Sequence, residues 1–200
     1  MKAAGYSEDE IKAAFRKKQE MTVFTYHGDI DTLLSPLDSI RYYKSFLRSG
    51  FMSMDPKTGA VKAYVGGLDY THFMYDMVSL GRRQVGSTIK PFLYSLAMSN
   101  GFQPCDLAPN RQRTYMVAGR PWTPRNANHS RAGQMVPLSW GLAQSSNWVS
   151  AYLMSKLNPQ QFVQMLRDFG INSPDIHASM SLCLGPCEVS VSEMVSAYTV

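Results

Sequence analysis

The two residues best suited to chemistry in this sequence are Ser87 and Lys90, three positions apart at the predicted start of a helix. An isolated serine is a poor nucleophile at neutral pH and needs an adjacent base. A lysine amine can be that base when it is largely neutral, and burial or the positive end of a helix dipole lowers the lysine pKa. Backbone N–H groups at the same helix start can stabilise an oxyanion. The pair predicts a serine acyl-transfer centre, although Ser and Lys at this spacing are also common in helices without chemistry.

The residues that follow predict the helix that positions this pair. Pro91 is tolerated only in the first helical turn, which places the helix start at about Ser87. Asn100 and Gly101 form a plausible stop. The side chains of Ser87 and Lys90 are therefore expected to lie about one turn apart and to be able to touch. The apolar residues have the spacing of one buried helix face: Ile89, Phe92, Leu93, Leu96 and Ala97.

A second polar group, Ser145 with Asn147, lies in a predicted turn between two helices. One helix pattern opens at Pro137, and the next resumes at Trp148. Such a turn can project a hydroxyl and a carboxamide into a cleft, where the serine relays a proton and the asparagine holds a substrate amide. Ser and Asn also populate turns for local hydrogen-bonding reasons, so this group is weak evidence by itself.

The composition is that of an ordinary globular chain. With 200 residues, 44% of them apolar and 18% charged, the chain can form one domain, or a domain with an appendage. The net charge of +5 is spread without a dense basic run, so nucleic acid is not expected as a partner. No apolar run approaches the roughly 18 residues of a membrane span, and the N-terminus does not have the pattern of a signal peptide. A positive surface still suits an anionic polymer or a membrane face.

Neither the histidines nor the cysteines have the spacing of metal ligands. The four histidines are scattered, so neither a metal nor a cofactor is expected. The three cysteines are an odd number, which leaves the redox compartment open. Cys183 and Cys187 are near enough in sequence to form a bridge, but two small buried thiols are the favoured interpretation.

Local signals predict a helix and a hairpin before Ser87. The capping box that opens at Ser7 predicts a helix over residues 7–20, with acidic residues in its first turn and basic residues at its end. Two strand-like runs, 51–54 and 60–65, are separated by turn residues and predict a β-hairpin.

The sequence after the Ser87 helix predicts a long connection and then further helices. Residues 101–135 contain turn formers and few periodic apolar residues, and such a long connection is usually functional. A second capping box, at residues 190–193, opens a helix whose pattern is still periodic at Val200. We therefore expect the chain to be cut within a domain.

Five segments in order resemble class A penicillin-binding proteins. Ser-x-x-Lys followed by Ser-x-Asn is the motif order of penicillin-binding proteins and serine β-lactamases. The resemblance covers about residues 20–200 and is specific because the order of the segments is kept. The segments are an opening hairpin at 54–67, the nucleophile segment RQVGSTIKPFLY at 83–94, the stretch WTPRN at 122–126 with GQMVPL at 133–138, the loop AQSSNWV at 143–149, and a block at 181–194.

The resemblance implies a fold and a domain division. The fold is expected to be α/β of the α+β type, like other penicillin-binding proteins and serine β-lactamases, with helices packed on an antiparallel sheet that is truncated at the C-terminus. Residues 1–50 are expected to be the linker region that follows a missing glycosyltransferase domain. Residues 51–200 are expected to be a partial transpeptidase domain.

The resemblance also implies a role for each site residue. Ser87 attacks the carbonyl of a D-Ala-D-Ala stem peptide, and Lys90 is its base. Ser145 carries the proton to the leaving amine, and Asn147 holds the amide of the acyl side chain. Two residues of the 122–126 segment, Trp122 and Asn126, are expected to contact substrate.

The third motif of the family, K-T-G, is not found where it functions. Lys57, Thr58 and Gly59 spell it, but they precede Ser87 and lie in a predicted hairpin turn. In the family the functional K-T-G lies on a strand after the Ser-x-Asn loop, where that strand anchors the substrate carboxylate and supplies one of the two oxyanion donors. We therefore interpret Lys57 as a turn residue and expect the 200 residues alone to be inactive or nearly so.

The implied partners and location follow from cell-wall synthesis. The expected ligands are peptidoglycan stem peptides and β-lactam antibiotics, and other cell-wall synthesis proteins are expected partners. The expected location is the outer, periplasmic face of the cytoplasmic membrane, with an anchor that is not in this chain.

Two other functions remain open from the sequence. One is a β-lactamase or β-lactam sensor built on the same motifs, which the 122–126 segment and the linker-like start disfavour. The other is a binding or structural module without catalysis, which the missing K-T-G favours.

Overall fold

The computed structural model describes residues 2–199 and has an α+β architecture within them. The helices are α1 Glu8–Arg16, α2 Pro36–Ser45, α3 Lys90–Ser99, α4 Leu138–Ala143, α5 Asn147–Met154, α6 Pro159–Asp168 and α7 Val191–Ala197. The strands are β1 Gln19–Val23, β2 Ile30–Leu34, β3 Phe51–Met54, β4 Val61–Val65, β5 Arg82–Gln84, β6 Leu107–Pro109, β7 Tyr115–Val117, β8 Arg120–Trp122, β9 Met135–Pro137 and β10 Glu188–Ser190. Short 3₁₀ turns occupy Lys2–Ala4, Gly86–Ile89 and Met180–Leu184.

The strands pair two by two and all pairs are antiparallel. The pairs are β1 with β2, β3 with β4, β5 with β10, β6 with β9, and β7 with β8. We expected one antiparallel sheet, and within residues 2–199 the strands instead form five separate pairs. Six of the ten strands are only three residues long, and strands this short leave few backbone groups for a second neighbour.

The chain divides into two compact units. The first takes the residues up to Ser49 together with Gly67–Met74, and the second takes Gly50–Gly66 and the residues from Tyr75 onward. In the first unit, α1 packs against α2 and the β1–β2 hairpin lies beside α2. Its centre is an aromatic cluster in which the contacting rings have centroids 5.1–6.4 Å apart: Phe24, Tyr42, Tyr43, Phe46 and Phe73.

The second unit is built around α3, whose apolar face is buried as its periodicity predicts. The five apolar residues of that face are at most 7% exposed. α3 packs against α4, α5 and α6, while α7 packs against β3. The core residues contributed by α5, α6 and the 180–184 turn include Val149, Phe162 and Leu182. The Ser87 segment is thus supported by a helical cluster, whereas we expected it to lie on a sheet.

Cap chemistry decides most helix boundaries. Both predicted capping boxes are present, at Ser7 with Glu10 and at Ser190 with Glu193. α1 ends at Arg16 rather than residue 20, because β1 begins at Gln19 and takes the chain into the hairpin. α7 ends at Ala197 and does not continue to the last residue of the chain. No helix in residues 2–199 is both long and apolar enough to cross a membrane.

Candidate active site

Ser87 lies in a 3₁₀ turn rather than in the α-helix itself. The turn spans Gly86–Ile89, and α3 starts at Lys90, so the predicted helix start is correct to within one turn. β5 leads into the turn and pairs with β10, and the N–H of Val85 donates to the carbonyl of Cys187 at 2.9 Å. These contacts fix the backbone before Ser87, and the Ser87 side chain is exposed.

Lys90 is fully buried at the N-terminus of α3, and its amine is held by the predicted Ser-x-Asn loop. Nζ lies 2.6 Å from the carbonyl oxygen of Ser145, 3.0 Å from Ser145 Oγ and 2.7 Å from Asn147 Oδ1. Nζ is the donor in all three contacts, which matches the three N–H groups of a protonated lysine. The structure therefore brings Lys90, Ser145 and Asn147 together.

Burial makes Lys90 easier to deprotonate than a lysine in water. Burial lowers the pKa of Lys90 from 10.5 to about 8, and the nearby Cys183 thiol acts in the opposite direction. No ion pair within residues 2–199 involves Lys90, so no carboxylate holds its proton in place. A lysine with this pKa carries an appreciable neutral fraction near neutral pH, as a general base requires.

The turn between α4 and α5 presents Ser145 in a strained backbone conformation. Ser145 has φ = +50°, which is uncommon for a residue with a side chain. Such conformations cost about 1–3 kcal/mol and persist only where the surroundings over-determine them. Two backbone hydrogen bonds of 2.9 Å hold the turn, from Ser145 to Leu142 and from Ser146 to Gly141.

Asn126 secures the first turn of α5. Its Oδ1 accepts the N–H of Asn147 at 2.7 Å and that of Trp148 at 3.3 Å. The side-chain Nδ2 of Asn147 donates to the Arg125 carbonyl at 2.7 Å, and its Oδ1 accepts a hydrogen bond from Lys90 Nζ. In this structure both ends of the Asn147 side chain contact protein groups, whereas we expected it to hold a substrate amide.

A cavity of about 170 Å³ lies beside Asn126, Ser145 and Asn147. Ser87 lines it, but its hydroxyl makes no hydrogen bond to Lys90 or Ser145 within the described residues. Resting catalytic contacts are often loose and tighten only with substrate. The complete lining is Ser87, Asn126, Ala127, Asn128, Trp140, Gln144, Ser145, Ser146 and Asn147.

Trp122, a predicted substrate contact, and Lys57, which we interpreted as a turn residue, both lie away from this cavity. Trp122 is on β8, where its ring contacts Tyr115 at a centroid distance of 6.1 Å, and it does not line the cavity. Lys57 lies in the β3–β4 connection, where the N–H groups of Lys57 and Thr58 donate to Asp55 Oδ1 at 2.9 and 3.0 Å. Asp55 thus holds the early K-T-G in a turn, and none of its residues lines the cavity.

The sequence did not predict the contacts that hold the backbone of the site residues in place. Asn110 and Ser146 form a buried hydrogen bond of 3.0 Å, and Gly185 accepts a backbone hydrogen bond from Gly86 at 3.0 Å. Gly185 was within a segment of family resemblance, but its spacing from Ser87 indicated no role. Asn110 follows Pro109 in an irregular stretch with no pattern that distinguishes it.

Comparison with known proteins identifies the family. Residues 49–199 match the penicillin-binding protein transpeptidase domain, and residues 1–47 match the penicillin-binding protein middle domain. Penicillin-binding protein 1A of Neisseria meningitidis is 34% identical over 157 residues, which cover 77% of this chain and 20% of that protein. Penicillin-binding protein 2D of Bacillus subtilis is 35% identical over 156 residues, which cover 77% and 22% respectively.

A solved structure agrees with these relatives. The crystal structure of penicillin-binding protein 1A from Haemophilus influenzae superposes with a TM-score of 0.72 at 28% identity and covers 76% of this chain and 23% of that one. The predicted fold class and the resemblance to class A penicillin-binding proteins are confirmed. The chain spans about a fifth of the length of the curated relatives it matches. The middle-domain match precedes the transpeptidase match along the sequence. This chain therefore belongs to the penicillin-binding protein transpeptidase family.

Proposed function

We propose that Ser87 is the nucleophile of a D,D-transpeptidase acting on D-Ala-D-Ala stem peptides of peptidoglycan. Ser87 Oγ bonds to the penultimate carbonyl carbon, the peptide bond to the terminal D-alanine breaks, and the amine leaves with a proton. The amine of a second stem peptide then attacks the ester and releases Ser87. Water in place of that amine gives a carboxypeptidase reaction, and a β-lactam acylates Ser87 as a substrate mimic.

The observation that carries this proposal is the position of Lys90. Its buried amine contacts Ser145 Oγ at 3.0 Å, at a cavity that Ser87 also lines. Lys90 takes the proton of Ser87, and Ser145 passes it to the leaving amine. The N–H of Ser87 serves as an oxyanion donor. In the resting site the Asn147 carboxamide accepts a hydrogen bond from the Lys90 amine. A bound substrate amide competes for the same carboxamide.

The proposal also covers a longer parent protein of the kind that the relatives' names describe. The location is the periplasmic face of the cytoplasmic membrane, where peptidoglycan stem peptides are available. The parent carries a glycosyltransferase domain before the residues 1–50 region, and residues 51–200 belong to the transpeptidase domain. Trp122 and Asn126 remain predicted substrate contacts, of which Asn126 lines the cavity.

The test is covalent labelling with a fluorescent penicillin, followed by intact mass and peptide mapping. We expect one penicilloyl adduct on Ser87 after long incubation of the 200-residue chain. Ser87→Ala abolishes it, and Lys90→Ala nearly abolishes it because Ser87 loses its base. The matched control is Ser95→Ala, since Ser95 is another exposed serine in the same region of the chain.

Three results would overturn the proposal. The first is an adduct that survives Ser87→Ala, and the second is loss of the adduct in Ser95→Ala. The third is a folded full-length parent protein that forms no adduct at any penicillin concentration, which favours a binding module without catalysis.

A further inference from the structure

Ser146, the middle residue of the Ser-x-Asn loop, has every hydrogen-bonding position of its hydroxyl occupied. Its Oγ donates to Asn110 Oδ1 at 3.0 Å and accepts from Asn126 Nδ2 at 3.2 Å and from the N–H of Val149 at 3.3 Å. A hydroxyl has one donor and two acceptor positions, so no capacity is left for substrate. Ser146 is 4% exposed, and its hydroxyl acts inside the protein.

Asn110 anchors this hydroxyl from a distant part of the chain. Its side chain is fully buried, and its Nδ2 donates to the carbonyls of Ser130 and Arg131 at 2.9 and 3.0 Å. The amide cannot be turned over, because that would direct its oxygen at two carbonyl oxygens. Its backbone is also held, with its N–H donating to Gln134 and its carbonyl accepting from Gly133.

The acceptors of Lys90 all come from the two neighbours of Ser146. Ser145 supplies its carbonyl and its hydroxyl, and Asn147 supplies Oδ1. Ser145 has a positive φ that nothing in its own side chain favours. The Ser146 hydroxyl is held in one position, because it is buried and all of its hydrogen bonds are made. It therefore holds the chain in place between Ser145 and Asn147.

We propose that Asn110, acting through Ser146, is a positioning residue that holds Ser145 and Asn147 against the Lys90 amine. This inference depends on the proposed function of Lys90 as a base. Without the Asn110–Ser146 contact, the turn relaxes, Ser145 moves away and water reaches Lys90. The general base is then both misplaced and more fully protonated at neutral pH.

The test is the titration of Lys90 followed by NMR of chains carrying labelled lysine, which needs no catalysis. The titratable group facing Lys90 from the 180–184 turn is Cys183. In the wild type we expect a midpoint at about 8, and in Ser146→Ala a shift toward 10.5, because burial is what lowers the Lys90 pKa. Asn110→Ala gives a shift in the same direction, and Ser146→Thr, which keeps the oxygen, restores the wild-type midpoint.

The matched control is Ser150→Ala. Ser150 is also a fully buried serine near the loop, and its hydroxyl donates to the backbone carbonyl of Ser146 at 2.9 Å rather than to Asn110. We expect Ser150→Ala to leave the Lys90 midpoint unchanged, whatever its effect on thermal stability. The proposal is overturned if Ser146→Ala keeps the wild-type midpoint, if Ser150→Ala shifts it equally, or if Ser146→Ala fails to fold. Failure of the proposed catalytic function would appear separately, in the penicillin labelling of Ser87→Ala.

Discussion

Gly86 and Gly185 touch backbone to backbone, and no side chain fits between them. A Cβ atom on Gly185 would lie 2.2 Å from the carbonyl oxygen of Gly86 and 2.7 Å from its nitrogen. Gly185 also has φ = +65°, a conformation that residues with side chains seldom adopt. The 180–184 turn therefore supports the residue directly before Ser87, and the contact depends on glycine.

We expect Gly185→Ala to destabilise the protein and to displace the Ser87 turn. A left-handed conformation costs an L-residue roughly 1–2 kcal/mol. The clash adds an overpacking cost, typically about 1–3 kcal/mol. Gly170→Ala is the matched control, because Gly170 has φ = +85° and nothing within 4 Å of an added Cβ. Urea unfolding should show a larger loss for Gly185→Ala, and equal losses would mean that the contact with Gly86 is unimportant.

The free energy of unfolding should depend on pH through Lys90. Folded Lys90 loses its proton at about 8, whereas an unfolded lysine does so at 10.5, so the unfolded state binds more protons between these values. The contribution of Lys90 to stability therefore rises as the pH increases from about 8 to 10.5, by at most roughly 3 kcal/mol. The burial penalty is present in full below this window.

The measurement is urea unfolding at several pH values for the wild type and for Lys90→Met, which keeps most of the side-chain volume without the titration. The free energy of unfolding of the wild type should increase relative to that of Lys90→Met as the pH rises. A difference that is constant with pH would show that Lys90 titrates normally in the folded state.

Acylation by penicillin should become faster as the pH rises through about 8. Only the neutral amine of Lys90 can accept the proton of Ser87, and the neutral fraction grows around the Lys90 pKa. The measurement is the labelling rate between about pH 6 and pH 10, roughly two units on either side of that pKa, with folding checked by circular dichroism. A rate independent of pH across this range would exclude Lys90 as the base.

The 200-residue chain should label more slowly than full-length relatives. No K-T-G follows Asn147 in the printed sequence, and the early one is held in the β3–β4 turn. Loss of one oxyanion donor typically costs about 10²–10³ in rate. We expect labelling at least about 10²-fold slower than for penicillin-binding protein 2D of Bacillus subtilis under the same conditions. Equal rates would show that the motif is unnecessary.

The three cysteines should differ sharply in reactivity. Cys183 and Cys187 are free buried thiols, and burial raises the pKa of Cys183 to about 12 and raises that of Cys187. The thiolate is the reactive form, so neither should be alkylated in the folded protein. Cys105 is exposed and should react. Mass spectrometry after iodoacetamide treatment should find one adduct in the native chain and three in urea, and a native adduct on Cys183 would contradict this burial.

The features that depend on neighbouring residues could be predicted from the sequence. The spacing of the apolar residues of α3, the capping boxes at Ser7 and Ser190, and the turn at Asp55 are all patterns within a few positions of the chain. Their physical causes are helical periodicity, side-chain caps and turn chemistry, which can be read from local spacing. Ser87, Lys90, Ser145 and Asn147 were predicted as site residues for the same reason, because each pair forms a short motif.

How these motifs meet, and which residues hold them, depends on packing between distant parts of the chain. The Lys90 amine reaches Ser145 and Asn147 because α3 packs against α4 and α5, and that packing depends on how distant side chains fill the core. The contacts of Asn110 with Ser146 and of Gly86 with Gly185 join residues far apart in the chain, and their spacing carries no periodic signal. Trp122 also lies away from the cavity for a tertiary reason, since the β7–β8 pair directs its ring toward Tyr115.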